Sequence, residues 1–256
     1  IHKASVRDRL LHHAIYRILY PFFDRIFIAD SYSCRVNKGT HRALDRFRSF
    51  GYQASLNNTR ACWVLKCDIK KFFANIDHDV LKNILERYVP DQNILRLLRD
   101  VVGSFYSSSP GVGLPLGNLT SQLFVNVYMN EFDQFVKHKL KAKYYIRYAD
   151  DFIILSGDRN WLGSQIGLIR GFLRESLKLE IHEHKIFVKT LSSGVDWLGW
   201  VHFLDHRVLR AAARRRMVRR IGGYPTQEII DSYVGLLGHG NARKLQSTIL
   251  DGNLVF

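Results

Sequence analysis

Apolar and polar positions along the chain follow two periods, and the switches between them mark out the elements. Over residues 8–28, Leu11, Ile15, Ile18, Leu19 and Phe22 recur at helical spacing. Thr40 is expected to cap a second helix carrying Leu44 and Phe47. The period then changes. Trp63, Leu65, Cys67 and Ile69 alternate with Val64, Lys66 and Asp68, which predicts a strand with Asp68 at its end on the less apolar face. Asp77 can cap a helix bearing Val80, Leu81, Ile84 and Leu85. After a loop punctuated by Gly113, Pro115 and Gly117, residues Phe124, Val127, Tyr128, Phe132, Phe135 and Val136 share one helical face. Tyr144 to Tyr148 and Phe152 to Leu155 are rich in aromatic and branched residues and read as two strands. A helix around 161–177 leads to LKLEIHEHKIFVKT and VDWLGWVHF, both of strand character. The alanines of 207–220 favour helix, and two shorter helical patterns, 226–237 and 241–250, are separated by the glycines of GHG.

The junction of the two aromatic strands holds Asp150 and Asp151 side by side, without the glycine that tight hairpins favour. Neighbours in a continuous strand face opposite ways. Only at a bend can two consecutive carboxylates approach one site, where they repel unless a cation lies between them. Taken alone, these residues read equally well as a solvated turn. Asp68 supplies a third carboxylate, and three on one sheet edge suit two hard divalent cations with oxygen ligands. At the start of the 124–136 helix, Asn118, Thr120, Ser121 and Gln122 either cap free N–H groups or meet a phosphate or nucleotide. The loop SYSCRVNKGT, with Arg35, Lys38 and Gly39, reads by itself as a solvated turn.

A chain of 256 residues can bury a substantial core, as one large domain or two or three lobes. Its net charge of +15 and pI near 9.9 call for a polyanionic partner, nucleic acid before membrane. It has no apolar run of the roughly 18 residues needed to span a bilayer and no evident signal peptide, so the cytoplasm is the expected compartment. Cys34, Cys62 and Cys67 lack paired spacing and are expected to be reduced core thiols. The chain begins at Ile1 rather than a methionine, so an upstream segment is expected. Arg207, Arg210, Arg214, Arg215, Arg216, Arg219 and Arg220 fall in a stretch without an acid; these like charges repel and point to nucleic-acid phosphate.

Taken in order, SYSCRVNKGTHRAL, LKCDIKKFFANIDHDVL, GLPLGNLTSQ, YADD, LEIHEHK and DWLGW resemble the successive blocks of the reverse transcriptases of bacterial retroelements, over nearly all of the chain. The resemblance implies an α+β fold, the right-hand polymerase fold. It places fingers at 1–61 and 77–116, an antiparallel-sheet palm at 62–76 and 117–206, and a basic helical thumb at 207–256. It assigns two Mg2+ ions, replaceable by Mn2+, to Asp68, Asp150 and Asp151 with the Ile69 carbonyl. It makes Phe73 a steric gate against the ribonucleotide 2′-OH and Lys185 a general acid for pyrophosphate. Leu198, Gly199 and Trp200 match the primer grip. Leu116, Gly117, Gln122 and Arg35 are the remaining candidates for nucleotide contact.

Most reverse transcriptases carry Gln-Gly and then Ser-Pro in the pocket block, whereas this chain has Leu116-Gly117 and Ser121-Gln122. That pattern resembles the enzymes of diversity-generating retroelements, which copy a template RNA with errors at adenines (mutagenic retrohoming). YADD departs from the YMDD commoner there. The implied partners are template RNA, cDNA or primer, dNTPs and a small basic oligomeric accessory protein, with no membrane. The competing readings are a group II intron-like, retron-like or phage-defence reverse transcriptase of ordinary fidelity, and a non-catalytic RNA-binding scaffold.

Overall fold

The computed structural model describes residues 5–223 and 226–250. Positions 1–4 of the expected fingers, and 224–225 and 251–256 of the expected thumb, lie outside the described residues. The Ser5 hydroxyl accepts from the Asp8 N–H and starts α1 (Val6–Ile26), which turns Ile15, Leu19 and Phe23 inward. The next helix, α2 (Thr40–Ala54), buries Leu44, Phe47 and Phe50. Its cap is Gly39 rather than Thr40, because the chain arrives at φ +97 and the Thr40 hydroxyl donates to the Tyr148 hydroxyl instead. Then come β1 (Trp63–Asp68), α3 (His78–Tyr88) and α4 (Gln92–Gly103). Asp77 caps α3 through the Val80 N–H at 2.9 Å, and Asp91 caps α4 in the same way. The long apolar helix is α5 (Leu119–Gln134), ending in a wider turn at Phe135–Lys139.

The hairpin β2 (Tyr144–Tyr148) and β3 (Asp151–Ser156) leads to α6 (Arg159–Leu177), then β4 (Phe187–Thr190). A small meander follows, β5 (Val195–Trp197), β6 (Trp200–His202) and β7 (Arg207–Leu209). The chain finishes in α7 (Ala211–Gly223), α8 (Gln227–Leu237) and α9 (Arg243–Leu250).

The main sheet has the order β2-β3-β1-β4, antiparallel throughout, with β1 inside it. Leu65 and Cys67 face a core built from α1, α5 and α6. Val64, expected on the less apolar face, is fully buried in a second core, under Phe47 and Phe50 of α2 and Trp197 and Trp200 of the meander. Lys66 and Asp68, farther along that face, are only partly buried. Burying each such large side chain is worth about 1.5–3 kcal/mol, so both layers hold β1 rigidly under its terminal carboxylate. Gly240, in the turn between α8 and α9, lies so close to Trp200 that a Cβ would come within 2.1 Å of the ring. The last three helices dock there, around Met217, Ile221 and Leu237. Cys62 and Cys67 are buried free thiols, as expected; Cys34 is exposed in its loop and is not a core residue.

Candidate active site

Strand register builds the site. β1 against β3 sets Asp68 opposite Asp151, and β2 against β3 sets Tyr148 opposite Asp151, leaving Ala149 and Asp150 as a two-residue turn. With no glycine in the turn, Ala149 takes the left-handed conformation, φ +54, at a cost of about 1–2 kcal/mol. Two clamps hold it. The Ile69 N–H donates to the Asp150 carbonyl at 3.2 Å, and Arg147 Nη1 donates to the Ala149 carbonyl at 3.0 Å.

Arg147 is 0% exposed, as is Asp133 of α5, to which its Nε and Nη2 donate at 2.8 and 2.7 Å. Nη2 also donates to Ser31 Oγ at 3.0 Å. The fork thus ties the carboxylate turn to α5 and to the loop after α1. Sequence reasoning passed over this residue. Its signal was a charge at the Tyr145 phase of β2, the inward phase of a strand.

The three carboxylates share a sheet edge, yet two are turned to lysines. Lys185 Nζ lies 3.0 and 3.1 Å from the two oxygens of Asp68, and Lys66 Nζ lies 3.3 Å from Asp151 Oδ2. Asp151 Oδ1 is buried with no hydrogen-bond partner among the described residues. Burial, aided by the charges of Asp68 and Asp150 and opposed by Lys66, pushes the Asp151 carboxyl up to about 7. Burial and Asp68 likewise raise Asp150. Among the described residues no three acidic, His or Cys side chains are already drawn round one point as a metal cage. The donor chemistry nevertheless suits a hard divalent ion: all oxygens, one of them orphaned, in a cluster whose own repulsion a cation would relieve.

The other expected residues divide. Phe73 sits half-buried in the turn Phe72–Asn75, and its carbonyl accepts from the Leu114 N–H at 2.8 Å, joining the Phe73 turn to the loop before α5. In that loop Leu116 is 56% exposed, Gly117 has φ +101, and Gln122 is half-buried in the first turn of α5. Leu198 and Gly199, at φ +49 and +85, form the tip of the β5–β6 hairpin, whereas Trp200 is a core residue 1% exposed. Lys66 Nζ also donates to the Asp196 carbonyl at 3.0 Å and so links Asp151 to that hairpin.

Arg35 does not join the site. Its guanidinium is consumed by Asp24 at 2.7 Å and by the carbonyls of Asp24, Ile28 and Ser31, which makes it a brace for its own loop. Arg207 and Arg210 lie before α7, outside its exposed row. The first bonds Asp45 and the His239 carbonyl, and the second pairs with Asp196 at 3.3 Å. Arg214, Arg215, Arg216, Arg219 and Arg220 are exposed on α7, with no ion pair among the described residues.

A family model described as reverse transcriptase (RNA-dependent DNA polymerase) matches residues 1–202. The chain belongs to this reverse transcriptase family. It is 26% identical to Protein YkfC of Escherichia coli strain K12, over 88% of this chain and 66% of that protein. It is also 26% identical to the group II intron-encoded protein LtrA of Lactococcus lactis subsp. cremoris, over 82% of this chain and 44% of that protein. The chain therefore spans just under two thirds of the first and less than half of the second. Its fold is similar to that of apo telomerase from Candida tropicalis truncated from its C-terminal domain, with a TM-score of 0.59 and 12% identity over 78% of this chain and 45% of that one. Telomerase from Candida albicans in complex with a fragment of telomeric RNA gives 0.56 and 12%, over 95% and 46%. This member of the family thus has the polymerase fold, with mixed helices and antiparallel sheets. No helix among its described residues is long and apolar enough to cross a membrane.

Proposed function

We propose that this chain is the polymerising part of an RNA-directed DNA polymerase that extends a primer 3′ end with dNTPs on a template RNA, in the cytoplasm. The observation that carries the reading is the register that sets Asp68 opposite Asp151, with Asp150 in the adjoining turn, in a chain of this family. Asp68, Asp150, Asp151 and the Ile69 carbonyl would hold two Mg2+ ions, or Mn2+ in their place. When bound, these supply positive charge that favours the primer alkoxide and offsets the charge of the departing pyrophosphate. The chain's own groups do the rest. Lys185, beside Asp68, carries the proton a pyrophosphate oxygen takes up, and the Leu198–Gly199 tip bears on the primer. The exposed α7 arginines neutralise backbone phosphates.

Phe73 is the steric gate in this reading, its ring excluding the 2′-OH, so Phe73→Ala should lower discrimination against rNTPs by about tenfold or more, a change of about 1.4 kcal/mol. Competitive single-nucleotide incorporation measures this. Parental rejection of rNTPs by an active variant would place the gate elsewhere. Replacing Arg214, Arg215 and Arg216 with Gln should weaken template–primer binding whatever its sequence, and flatten the log–log salt dependence by roughly 0.7–0.9 for each phosphate no longer neutralised. An unchanged slope would make this face of α7 merely solvated.

We further place the enzyme among diversity-generating retroelements, with errors concentrated at template adenines and a small basic oligomeric accessory protein as partner. Leu116 supports this reading, since its exposed side chain offers no hydrogen bond where an amide is usual. The similarity to LtrA favours a second reading, a group II intron-like enzyme of ordinary fidelity. Deep sequencing of cDNA made on one template under equal dNTPs separates the two. An excess of errors at adenine, reduced by Leu116→Gln more than errors at the other bases, is expected. Without such an excess in the parent, the ordinary reverse transcriptase stands.

A further inference from the structure

Between α2, the β6–β7 hairpin and the turn joining α8 to α9 lies a cavity of about 280 Å3, with Arg48, His202, His206, Arg207, His239 and Asn241 in its walls. None of Asp68, Asp150 and Asp151 borders it. Two of its wall residues carry buried nitrogens with no partner among the described residues, Arg207 Nη1 and His202 Nε2. His202 is only 2% exposed.

The rest of the Arg207 guanidinium is committed. Its Nε donates to the His239 carbonyl, its Nη2 donates to Asp45 Oδ1 at 3.1 Å, and the group stands 5.8 Å from the Trp200 ring centre. Because the fork is planar and rigid, Nη1 cannot turn out to water without breaking these bonds. A buried donor left unmet costs about 1–3 kcal/mol, and more when charged, so a ligand oxygen that meets it is bound with that advantage.

The walls favour an anion. Arg48 and His206 accompany Arg207, and the carboxylate among the wall residues, Asp205, is 75% exposed and turned to His206 at 2.7 Å. Burial and the Arg207 charge lower His202 to about 3, so its ring is neutral and can donate to a bare oxygen or accept from a P–OH. A tetrahedral group with oxygens on several sides can meet both a guanidinium fork and an imidazole from another strand, which a planar carboxylate does less well. β7 also leads directly into α7, whose exposed arginines continue the positive surface.

We propose that this cavity is a phosphoryl-binding site, separate from the carboxylate cluster, for a nucleic-acid backbone phosphate or a free phosphate. The test titrates the whole chain with inorganic phosphate by calorimetry, and with an RNA–DNA template–primer duplex over a range of salt, in the parent, Arg207→Gln and Arg48→Gln. If the source is free phosphate, the parent binds it and each substitution weakens it at least fivefold, whereas replacing Arg214, Arg215 and Arg216 leaves it unchanged. If the source is the backbone, inorganic phosphate gives no specific binding, and each substitution lowers the salt slope of duplex binding by roughly 0.7–0.9. Should Arg207→Gln fold poorly, Arg48→Gln decides, because Arg48 is exposed and makes no hydrogen bond among the described residues. A folded variant with parental phosphate affinity and parental salt slope overturns the proposal. Neither readout depends on DNA synthesis, so a chain that does not polymerise leaves this test intact.

Discussion

Arg147→Met should cost about 3–5 kcal/mol of stability, the usual loss when one partner of a buried ion pair is removed. Asp133 would be left at 0% exposure with, among the described residues, only the Tyr145 hydroxyl, 2.6 Å away, to satisfy a full charge. The Ala149 carbonyl and Ser31 Oγ would lose the same guanidinium, so the strained turn that presents Asp150 would lose one of its two clamps. Replacing both partners, as Arg147→Met with Asp133→Leu, should restore much of the stability, because no uncompensated charge remains. Restoring the fold should not restore the turn, and nucleotide incorporation by the double variant should stay below the parent's. Urea unfolding of the parent, both single variants and the double variant gives the coupling. A loss under about 1 kcal/mol for Arg147→Met would mean that the pair behaves like an exposed one and does not hold the hairpin.

Asp150→Asn should reduce dNTP incorporation by about three orders of magnitude, the equivalent of about 4 kcal/mol of transition-state stabilisation. The amide has nearly the carboxylate's shape, and the Asp150 carbonyl that receives the Ile69 N–H belongs to the backbone and survives the change. Template–primer affinity should therefore stay near the parent's, because the exposed arginines of α7 are untouched. Metal-free stability should stay level or rise, since burial and Asp68 already disfavour the ionised Asp150 that the substitution removes. Calorimetric melting in a chelating buffer, beside single-turnover incorporation, reads both effects. A variant that melts far below the parent would make the lost activity a folding defect.

The carboxylates were legible because their chemistry is local: adjacent acids at a strand junction are a rare pattern, and a third acid at another strand end completes it. β1 and Asp77 were legible for a similar reason, through period and cap. The limits of local reading appear at Val64, where alternation along one strand could not show that α2 and the meander cover its other face. Arg35 looked free because Asp24, which consumes it, lies in the last turn of α1 and meets it only in three dimensions. Arg207 is the same case, since its partner Asp45 is on α2. Arg147 is a buried version of the same case. Its inward phase was visible in the strand, but the Asp133 that α5 brings beneath it was not. α4, with Leu95, Leu98 and Val102 inward, went unexpected although its residues carry helical spacing.

Single-nucleotide incorporation by the parent chain, on an RNA template annealed to a DNA primer, tests the central claim most directly. With Mg2+ present, the primer should gain the one dNMP complementary to the template base, and it should gain nothing when the ion is chelated. Tight binding of the same template–primer, with no extension in Mg2+ or Mn2+, would contradict it and leave an RNA-binding scaffold built on the polymerase fold.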